Sequence, residues 1–238
     1  MSRSLVPALV SLHVWGVSTR QIPAALARVA GDRFAVSGYP GLLFAKVLGT
    51  GNGMTFAPQD ADPQHWALLA CWDAPHAATT FEQSRVIRRW DAGSTERARV
   101  LMTPLSSTGE WSGRRPFGTP SPHAQDESLG PVAAITRARI RWSQLTDFWR
   151  SVPDVAASLT TQRGLQWSLS IGEAPIGLQG TFSVWDDMAS MNAFAYETSS
   201  HRRAIERTRE TGWFAEELFA RFLVKEIDGT YRGRSVKL

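Results

Sequence analysis

Eight short segments of the chain combine alternating apolar and polar positions with many β-branched residues, a pattern typical of β-strands. They lie near residues 8–17, 41–49, 65–72, 97–104, 131–141, 164–172, 178–185 and 218–226. Apolar residues recur at helical spacing over 20–35, 75–91, 143–160 and 187–209, and "WFAEEL" at 213–218 predicts a short helical turn. The pattern therefore predicts the order strand, helix, strand, strand, helix, strand, and then the same order again.

The two series of elements also align with each other in sequence. "LVSLHVWGVS" (9–18) aligns with "VAAITRARIR" (132–141) at an offset of 123 residues, and the same offset places Gly41 on Gly164 and Gly49 on Gly172. After the longer loop of the first half the offset becomes 113, and Trp72 then falls on Trp185. One register kept across a strand, a helix and a second strand indicates an internal duplication.

This order of elements is that of the ferredoxin-like unit, whose antiparallel sheet carries helices on one face and leaves the other face bare. Two such units can bury their bare faces against each other. We therefore predict an α+β protein in which two tandem ferredoxin-like (βαββαβ) halves form a core of the dimeric-α+β-barrel type. The halves are residues 1–110 and 131–238, and the Pro-, Gly- and Ser-rich segment 111–130 is the linker.

Composition narrows the class of protein. Apolar residues make up 43% of the chain and charged residues 20%, which is ordinary for a soluble globular protein. The net charge of +4 comes from scattered arginines without a dense basic block, so we expect no nucleic-acid partner. No apolar run reaches the roughly twenty residues that a membrane span requires. Cys71 is the only cysteine, so no internal disulfide forms, and we expect a cytoplasmic location.

Three arginines share one face of the predicted strand 131–141. Arg137, Arg139 and Arg141 alternate with small or apolar residues on the opposite face. An edge strand that presents arginines to water would produce this pattern. So would a strand whose arginines face a cavity and pair with a carboxylate of a bound ligand. The pattern alone leaves both interpretations open.

His201 lies on the apolar side of the predicted helix 187–209. It is spaced i+7 from Phe194 and precedes Ile205 by four residues, so the three residues share a stripe that faces the protein. A packed histidine and a metal ligand both satisfy this pattern. None of the five histidines has a partner at H-x-x-H or H-E-x-x-H spacing, so the sequence does not support a zinc site built from neighbouring ligands.

Five blocks of the chain resemble the spheroidene monooxygenase family. They are "KVLGTGNGMTFAP" (46–58), "GPVAAITRARIR" (130–141), "FWRSVPDV" (148–155), "IGEAPIGLQGTFSVWDDMASMNAFA" (171–195) and "HRRAIERTRETGWFAEELFARF" (201–222). The resemblance covers the chain from about Gly38 to Phe222 and is strongest in the second half. It implies the dimeric α+β barrel fold and a haem-dependent oxygenase of carotenoid metabolism.

The resemblance also implies a set of site residues. His201 heads the last block and would bind the iron of haem b, whose propionates would pair with Arg137, Arg139, Arg202 and Lys46. The substrate would be a small hydrophobic molecule oxidised with O₂ or peroxide, with an electron donor and a homodimeric assembly as further expectations. Two alternatives stay open at this stage. One is a haem barrel with peroxidase-like or dehydratase-like chemistry, and the other is a cofactor-free barrel that only binds a ligand.

Overall fold

A computed structural model describes residues 6–51, 60–118, 130–144, 162–173, 178–197 and 212–237 of the chain. These residues form four α-helices: α1 (Ile22–Ala35), α2 (Pro75–Phe81), α3 (Arg85–Asp91) and α4 (Met188–Glu197). They also form nine β-strands: β1 (Leu9–Gly16), β2 (Leu42–Gly51), β3 (Ala61–Trp72), β4 (Glu96–Gly109), β5 (Val132–Ile140), β6 (Leu165–Gly172), β7 (Leu178–Trp185), β8 (Phe214–Tyr231) and β9 (Arg234–Ser235). The α+β class predicted from the sequence is confirmed.

Eight of the strands form one antiparallel sheet that closes on itself. Their order is β4-β1-β3-β2-β6-β7-β5-β8, and β8 pairs with β4 to complete the ring. The first half of the chain contributes β4-β1-β3-β2 and the second contributes β6-β7-β5-β8. The halves therefore meet at two seams, a short one between β2 and β6 and a long one between β4 and β8.

The inside of the closed sheet is a packed apolar core. Alternate side chains of all eight strands point inward and form one buried cluster. Its largest members include Trp167, Phe182 and Phe222, and two aromatic residues of the predicted linker, Trp111 and Phe117, complete it. The beginning of the segment predicted as a linker is therefore part of the core.

The pairing of the strands follows the offsets of the sequence repeat. Leu9 of β1 faces Trp72 of β3, and Val132 of β5 faces Trp185 of β7, which are the partners at offsets of 123 and 113. Gly49 and Gly172, which the repeat treats as the same position, face each other across the short seam. Each seam therefore joins equivalent strands of the two halves.

Helices cover the outer face of the sheet in both halves. In the first half, helices α1 to α3 pack on it through large aromatic side chains, among them Trp15, Trp72, Phe81 and Trp90. In the second half, α4 packs Met188, Met191 and Phe194 against Trp185 and its neighbours. None of the helices in the described ranges is both long and apolar enough to cross a membrane.

Two sequence predictions differ from the structure. The predicted helix 75–91 is divided into α2 and α3, because α2 ends at Phe81 and Ser84 then caps α3 by accepting a hydrogen bond from the Ile87 N–H. The helical turn predicted at 213–218 is wrong. Phe214 begins β8 and pairs with Ile140, since the alternation of this segment buries Leu218 inside the sheet. The predicted helix 143–160 lies outside the described residues, apart from a short 3-10 turn at Trp142–Gln144.

Candidate functional site

Three of the five site residues predicted from the sequence come together at one end of the closed sheet. Lys46 lies on β2, while Arg137 and Arg139 lie near the end of β5. The other two, His201 and Arg202, lie outside the described residues. Because β5 lies between β7 and β8, the interpretation of its arginines as belonging to an exposed edge strand is wrong.

Arg137 is buried between two carboxylates at this end of the sheet. Its side chain is only 2% exposed. One guanidinium nitrogen donates to Glu173 at 2.7 Å and the other donates to Glu216. The guanidinium also lies over the ring of Trp111, 5.6 Å from its centroid. Arg137 is therefore held by side chains from three distant segments of the chain.

Lys46 joins the same network from the first half of the protein. Its ammonium group lies 2.6 Å from Glu173 and donates to the Ser112 hydroxyl at 2.7 Å. Glu216 in turn accepts the backbone N–H groups of Ser112 and Gly113, both at 2.9 Å. The network thus fastens the turn after β4 onto both halves of the sheet.

The two carboxylates of this network are ionised. Burial alone would raise the pKa of Glu173, but hydrogen bonds from Lys46 and Arg137 outweigh it and hold the pKa below its ordinary value. Burial likewise opposes ionisation of Glu216, whose pKa the N–H groups of Gly113 and Ser112 and the Arg137 guanidinium lower. Carboxylates of the protein therefore already balance the charges of Lys46 and Arg137.

Among Lys46, Arg137 and Arg139, the side chain of Arg139 is the most exposed. Its side chain is 47% exposed, and its nearest carboxylate oxygen, on Glu216, is 3.6 Å away. The pairing of all three cations with a ligand carboxylate stays a prediction. Arg139 can turn toward such a ligand without breaking a buried ion pair, whereas Arg137 and Lys46 cannot.

The outer face of the second half carries a row of residues across four adjacent strands. In register they are Phe219 of β8, Thr136 of β5, Thr181 of β7 and Ser170 of β6. We call Thr136, Thr181 and Ser170 the hydroxyl row. Although β5 lies in the middle of the second-half sheet, Thr136 is exposed, and Phe219 beside it is 43% exposed. Because Thr181 is half-buried and Ser170 is only 8% exposed, this face is open at Thr136 and Phe219 and closed at Ser170.

The equivalent row of the first half is buried at its centre and half-buried at Val47. The repeat places Val47, Leu68 and His13 at the positions of Ser170, Thr181 and Thr136, and Arg99 faces His13 as Phe219 faces Thr136. Leu68 and His13 are both buried, with 1% of each exposed. The two halves therefore share one strand arrangement, but they differ in the exposure of equivalent positions on the outer face of the sheet.

His13 and His65 are engaged in polar networks of the first half. His13 Nδ1 accepts from Arg97 at 3.0 Å, and His65 lies between the carboxylates of Asp62 and Glu96, each at 2.8 Å. Within the described part of the chain, no group of three or more His, Cys, Asp or Glu side chains is arranged to hold a metal ion.

Relatives of known name align with almost the whole chain. Spheroidene monooxygenase of Rhodobacter capsulatus is 34% identical over 217 residues, which cover 91% of this chain and 89% of that protein. Spheroidene monooxygenase of Rubrivivax gelatinosus is 36% identical over 207 residues, covering 87% and 77% of the two chains. This chain belongs to the spheroidene monooxygenase family. The resemblance noted in the sequence blocks is confirmed, although no family model matches the chain.

Solved structures place this family member in a wider fold group. The chain superposes on an aldoxime dehydratase with a TM-score of 0.57, and on an aldoxime dehydratase crystallised with butyraldoxime with a TM-score of 0.58. Each alignment covers 91% of this chain, with 80% and 79% of the dehydratase chains and 11% sequence identity. At this identity the likeness shows a shared fold and nothing about the reaction.

The hydroxyl row was not found from the sequence. Thr136 lies between the two arginines and Ile135 in "ITRAR", where only the charges attract notice, and Thr181 and Ser170 are ordinary strand residues. The signal that could have found them is the repeat. Aligning the halves replaces His13, Leu68 and Val47 with three hydroxyl residues, which marks a place where the outer faces of the two halves differ.

Proposed function

We propose that this protein is a haem-dependent monooxygenase that oxidises a hydrophobic metabolite such as a carotenoid. Family membership carries the proposal, because the relatives that align with most of the chain are named spheroidene monooxygenase. In such a reaction one oxygen atom of O₂ enters a C–H bond of the substrate. The other leaves as water and consumes two electrons and two protons, so an electron donor is part of the proposal unless hydrogen peroxide supplies the oxidising equivalents.

The second half of the protein is the better place for a flat cofactor. A planar macrocycle needs a broad surface of small side chains, and the outer face of the second half offers the exposed Thr136 beside the half-buried Thr181 and Ala134. At the positions equivalent to Thr136 and Thr181, the first half has the larger side chains of His13 and Leu68, and both are buried. The residues of the second half therefore fit a haem by size, and those of the first half do not.

Residues for holding the cofactor follow from this location. His201 follows the end of α4 by four residues in the sequence, and we propose it as the iron ligand, with Arg202 and Arg139 pairing with the propionates. When bound, haem with a neutral imidazole ligand supplies an iron centre that activates O₂ or peroxide. Arg137 and Lys46 would instead hold the end of the sheet rigid through Glu173 and Glu216.

The proposal includes the finer architecture predicted from the sequence. We propose that the two halves are duplicated βαββαβ units. The strand order, the register offsets and the facing pair Gly49–Gly172 support a common origin of the halves.

An absorption spectrum of the purified full-length chain tests the cofactor. We expect a Soret band, either after expression in haem-producing cells or after titration with haemin, and we expect His201→Ala to lose it. His76→Ala is the matched control, because His76 is an exposed histidine of α2 in the first half. The control should keep the band.

Two outcomes would contradict the cofactor proposal. A colourless protein that takes up no haemin would favour a cofactor-free binding module. A Soret band that survives in His201→Ala would remove the assigned iron ligand. The reaction is tested separately, by incubating the coloured protein with a polyene, labelled O₂ and a chemical reductant. One labelled oxygen atom in the polyene product supports the monooxygenase, and its absence with all oxidants favours dehydratase-like or peroxidase-like chemistry.

A further inference from the structure

Helix α1 presents apolar side chains to solvent on the face that points away from the sheet. A set of its exposed positions recurs at the spacing i, i+3, i+4, i+7, i+8 and i+11, and none of them is polar. We call this set the α1 stripe, and its members are Pro23, Leu26, Ala27, Ala30, Gly31 and Phe34. Leu26 is 52% exposed and Phe34 is 69% exposed. A surface helix normally turns polar side chains to water, so the stripe marks a surface that an apolar partner covers.

Arginines lie beside the α1 stripe. Arg33 follows the helix to its edge, and its guanidinium lies over the ring of Phe34, 4.7 Å from the centroid. Arg28 lies over Trp90 of α3, 5.5 Å from the ring centroid, so α3 is adjacent to α1. The exposed arginines of α3 are Arg85, Arg88 and Arg89. The fold therefore gathers arginines that are scattered in the sequence next to one apolar surface.

The carboxylates of these two helices do not offset the charge. Helices α1 and α3 contain five arginines but only two acidic residues, Asp32 and Asp91. Asp32 is 1% exposed and is paired with Arg89. Asp91 accepts hydrogen bonds from Trp15 and Arg97. Since both carboxylates are bound within the protein, this face of the molecule is positively charged.

We propose that α1 docks on the surface of an anionic lipid bilayer, with the stripe between the headgroups and the acyl chains and the arginines against lipid phosphates. A helix that lies in the plane of a membrane buries its apolar face about 5–10 Å deep. Leu26 and Phe34 are about 12 Å apart along the helix axis, so both enter the lipid when the helix lies parallel to the surface. The proposal goes beyond the proposed function and depends neither on haem nor on the reaction.

Charge and area both favour a lipid surface over a second copy of the chain. Two copies that met through α1 would bring the same arginines together, and α1 has no exposed carboxylate to pair with them. A helix of 14 residues is about 21 Å long and about 10 Å wide, so the stripe offers about 200 Å². A stable protein interface buries about 800 Å² on each partner. Insertion of two large side chains into a bilayer needs no such area, and anionic headgroups attract the arginines.

Vesicle flotation with the purified full-length protein tests the proposal. Vesicles of phosphatidylcholine and phosphatidylglycerol in equal amounts are compared with vesicles of phosphatidylcholine alone, at about 0.1 M salt. The protein should float with the anionic vesicles, with a partition coefficient at least about tenfold higher than for the neutral ones. Raising the salt to about 1 M should remove most of this difference, because the Debye length falls to about 3 Å.

Substitutions separate the apolar contribution from the electrostatic one. The double variant Leu26→Ser, Phe34→Ser removes both large side chains of the stripe, and its partition coefficient for anionic vesicles should fall by at least about tenfold. Arg33→Gln removes one cation beside the stripe and should lower the coefficient by about fivefold. Phe219→Ser is the matched control, because Phe219 is exposed on β8, across the ring of strands from β2 and β3, on which α1 packs. It should change the coefficient by less than about twofold.

Four outcomes would overturn the proposal. The protein fails to float with anionic vesicles, or it floats equally with neutral ones. The double variant floats as well as the wild type, which would place the membrane contact elsewhere. A wild-type dimer in light scattering that the double variant converts to a monomer would assign the stripe to a second copy. Circular dichroism checks the folding of each variant, and Arg33→Gln and the salt dependence keep the test decisive if the double variant does not fold.

The outcome is separable from that of the cofactor test. A protein that floats with anionic vesicles but takes up no haemin loses the haem proposal and keeps the membrane contact. A protein that shows a Soret band but does not float keeps the haem proposal and loses the membrane contact.

Discussion

Gly41 and Gly164 occupy the same left-handed backbone conformation, with φ values of +78° and +79°, in the two halves of the protein. Each carbonyl accepts the N–H of an aspartate that follows a buried tryptophan, Asp73 in one half and Asp186 in the other. A Cβ atom at Gly41 would lie 2.5 Å from the Ala77 Cβ, and one at Gly164 would lie 2.5 Å from the Ser190 Cβ. The repeat thus conserves a close approach between a turn and the helix behind it.

Substituting either glycine should destabilise the protein strongly. Gly41→Ala and Gly164→Ala should each cost about 3 kcal/mol, about 1 from the left-handed backbone and about 2 from the overlap with the helix. Gly38→Ala is the matched control, because Gly38 has a φ of +79° and open space around its Cβ position. It should cost only about 1 kcal/mol in urea unfolding, and equal losses for all three variants would refute the role of the helix contact.

Removing Arg137 should unbalance the network at the end of the sheet. Arg137→Met leaves Glu173 and Glu216 without their shared buried partner, which should lower the free energy of unfolding by about 3 kcal/mol. Arg139→Met, at a half-exposed position of the same strand, should cost less than about 1 kcal/mol. Comparable losses in chemical denaturation would show that the buried ion pairs do not stabilise this end.

His65 should make stability fall at alkaline pH. Burial alone would lower its pKa, but the hydrogen bonds to Asp62 and Glu96 raise the pKa above its ordinary 6.5. The stabilisation that this pKa shift provides is complete below pH 6.5, and it is lost as the pH rises through the raised pKa of His65. Burial opposes ionisation of Asp62 and Glu96 as well. Hydrogen bonds from His65 to both carboxylates, and from Arg232 and Gly233, nevertheless lower both pKa values. The stabilisation that the two carboxylates provide is therefore lost as the pH falls.

The contribution of this cluster is therefore greatest between about pH 5 and about pH 7. His65→Gln should lower the free energy of unfolding by about 2 kcal/mol at about pH 6 and by clearly less at about pH 9. Thermal unfolding across this range measures the difference. A constant difference between the two proteins at every pH would exclude titration of His65 as the cause.

His13 should make stability fall at acidic pH, in contrast to His65. Burial, together with the charges of Arg97 and Arg99, lowers its pKa well below 6.5, although Glu82 lies 3.4 Å from Nε2. Since an arginine N–H can only donate, Nδ1 is the acceptor and Nε2 carries the proton. Below pH 6.5 the unfolded chain binds a proton that the folded chain does not. The free energy of unfolding therefore decreases as the pH is lowered, by up to about 1.4 kcal/mol per pH unit.

His13→Gln keeps a donor and an acceptor at this position but cannot titrate. It should therefore flatten the loss of stability between about pH 6 and about pH 4.5. Nitrogen NMR of the wild-type ring should find the Nε2–H tautomer at neutral pH. An imidazolium signal at about pH 6 would contradict the assignment.

The elements were largely predictable because their signals are local. Alternation along β1, β5 and β7 reflects which side chains face the core, and the repeat aligned positions of one half with positions of the other. The error at 213–218 has a physical cause. A short segment with charges at positions 216 and 217 satisfies both helical and strand patterns, and only its pairing with β5 and β4 selects the strand.

The site could not be predicted to the same extent. The sequence singled out Arg137 and Lys46 as cations for a ligand, yet Glu173 and Glu216 reach Arg137 from 36 and 79 residues away and bind it within the protein. Such partners depend on how the ring of strands closes. His201 and Arg202 remain predictions of the sequence and the family.

The sequence by itself determined the α+β class, the positions of the eight main strands and the family, because these depend on side-chain periodicity and on residue identity along the chain. The tertiary structure alone decided that the sheet closes through β4 and β8, that the arginines of β5 meet carboxylates, and that Thr136, Thr181 and Ser170 align on the outer face of the sheet. Contacts between distant segments set these features, since burial and pairing arise only when the strands are brought together.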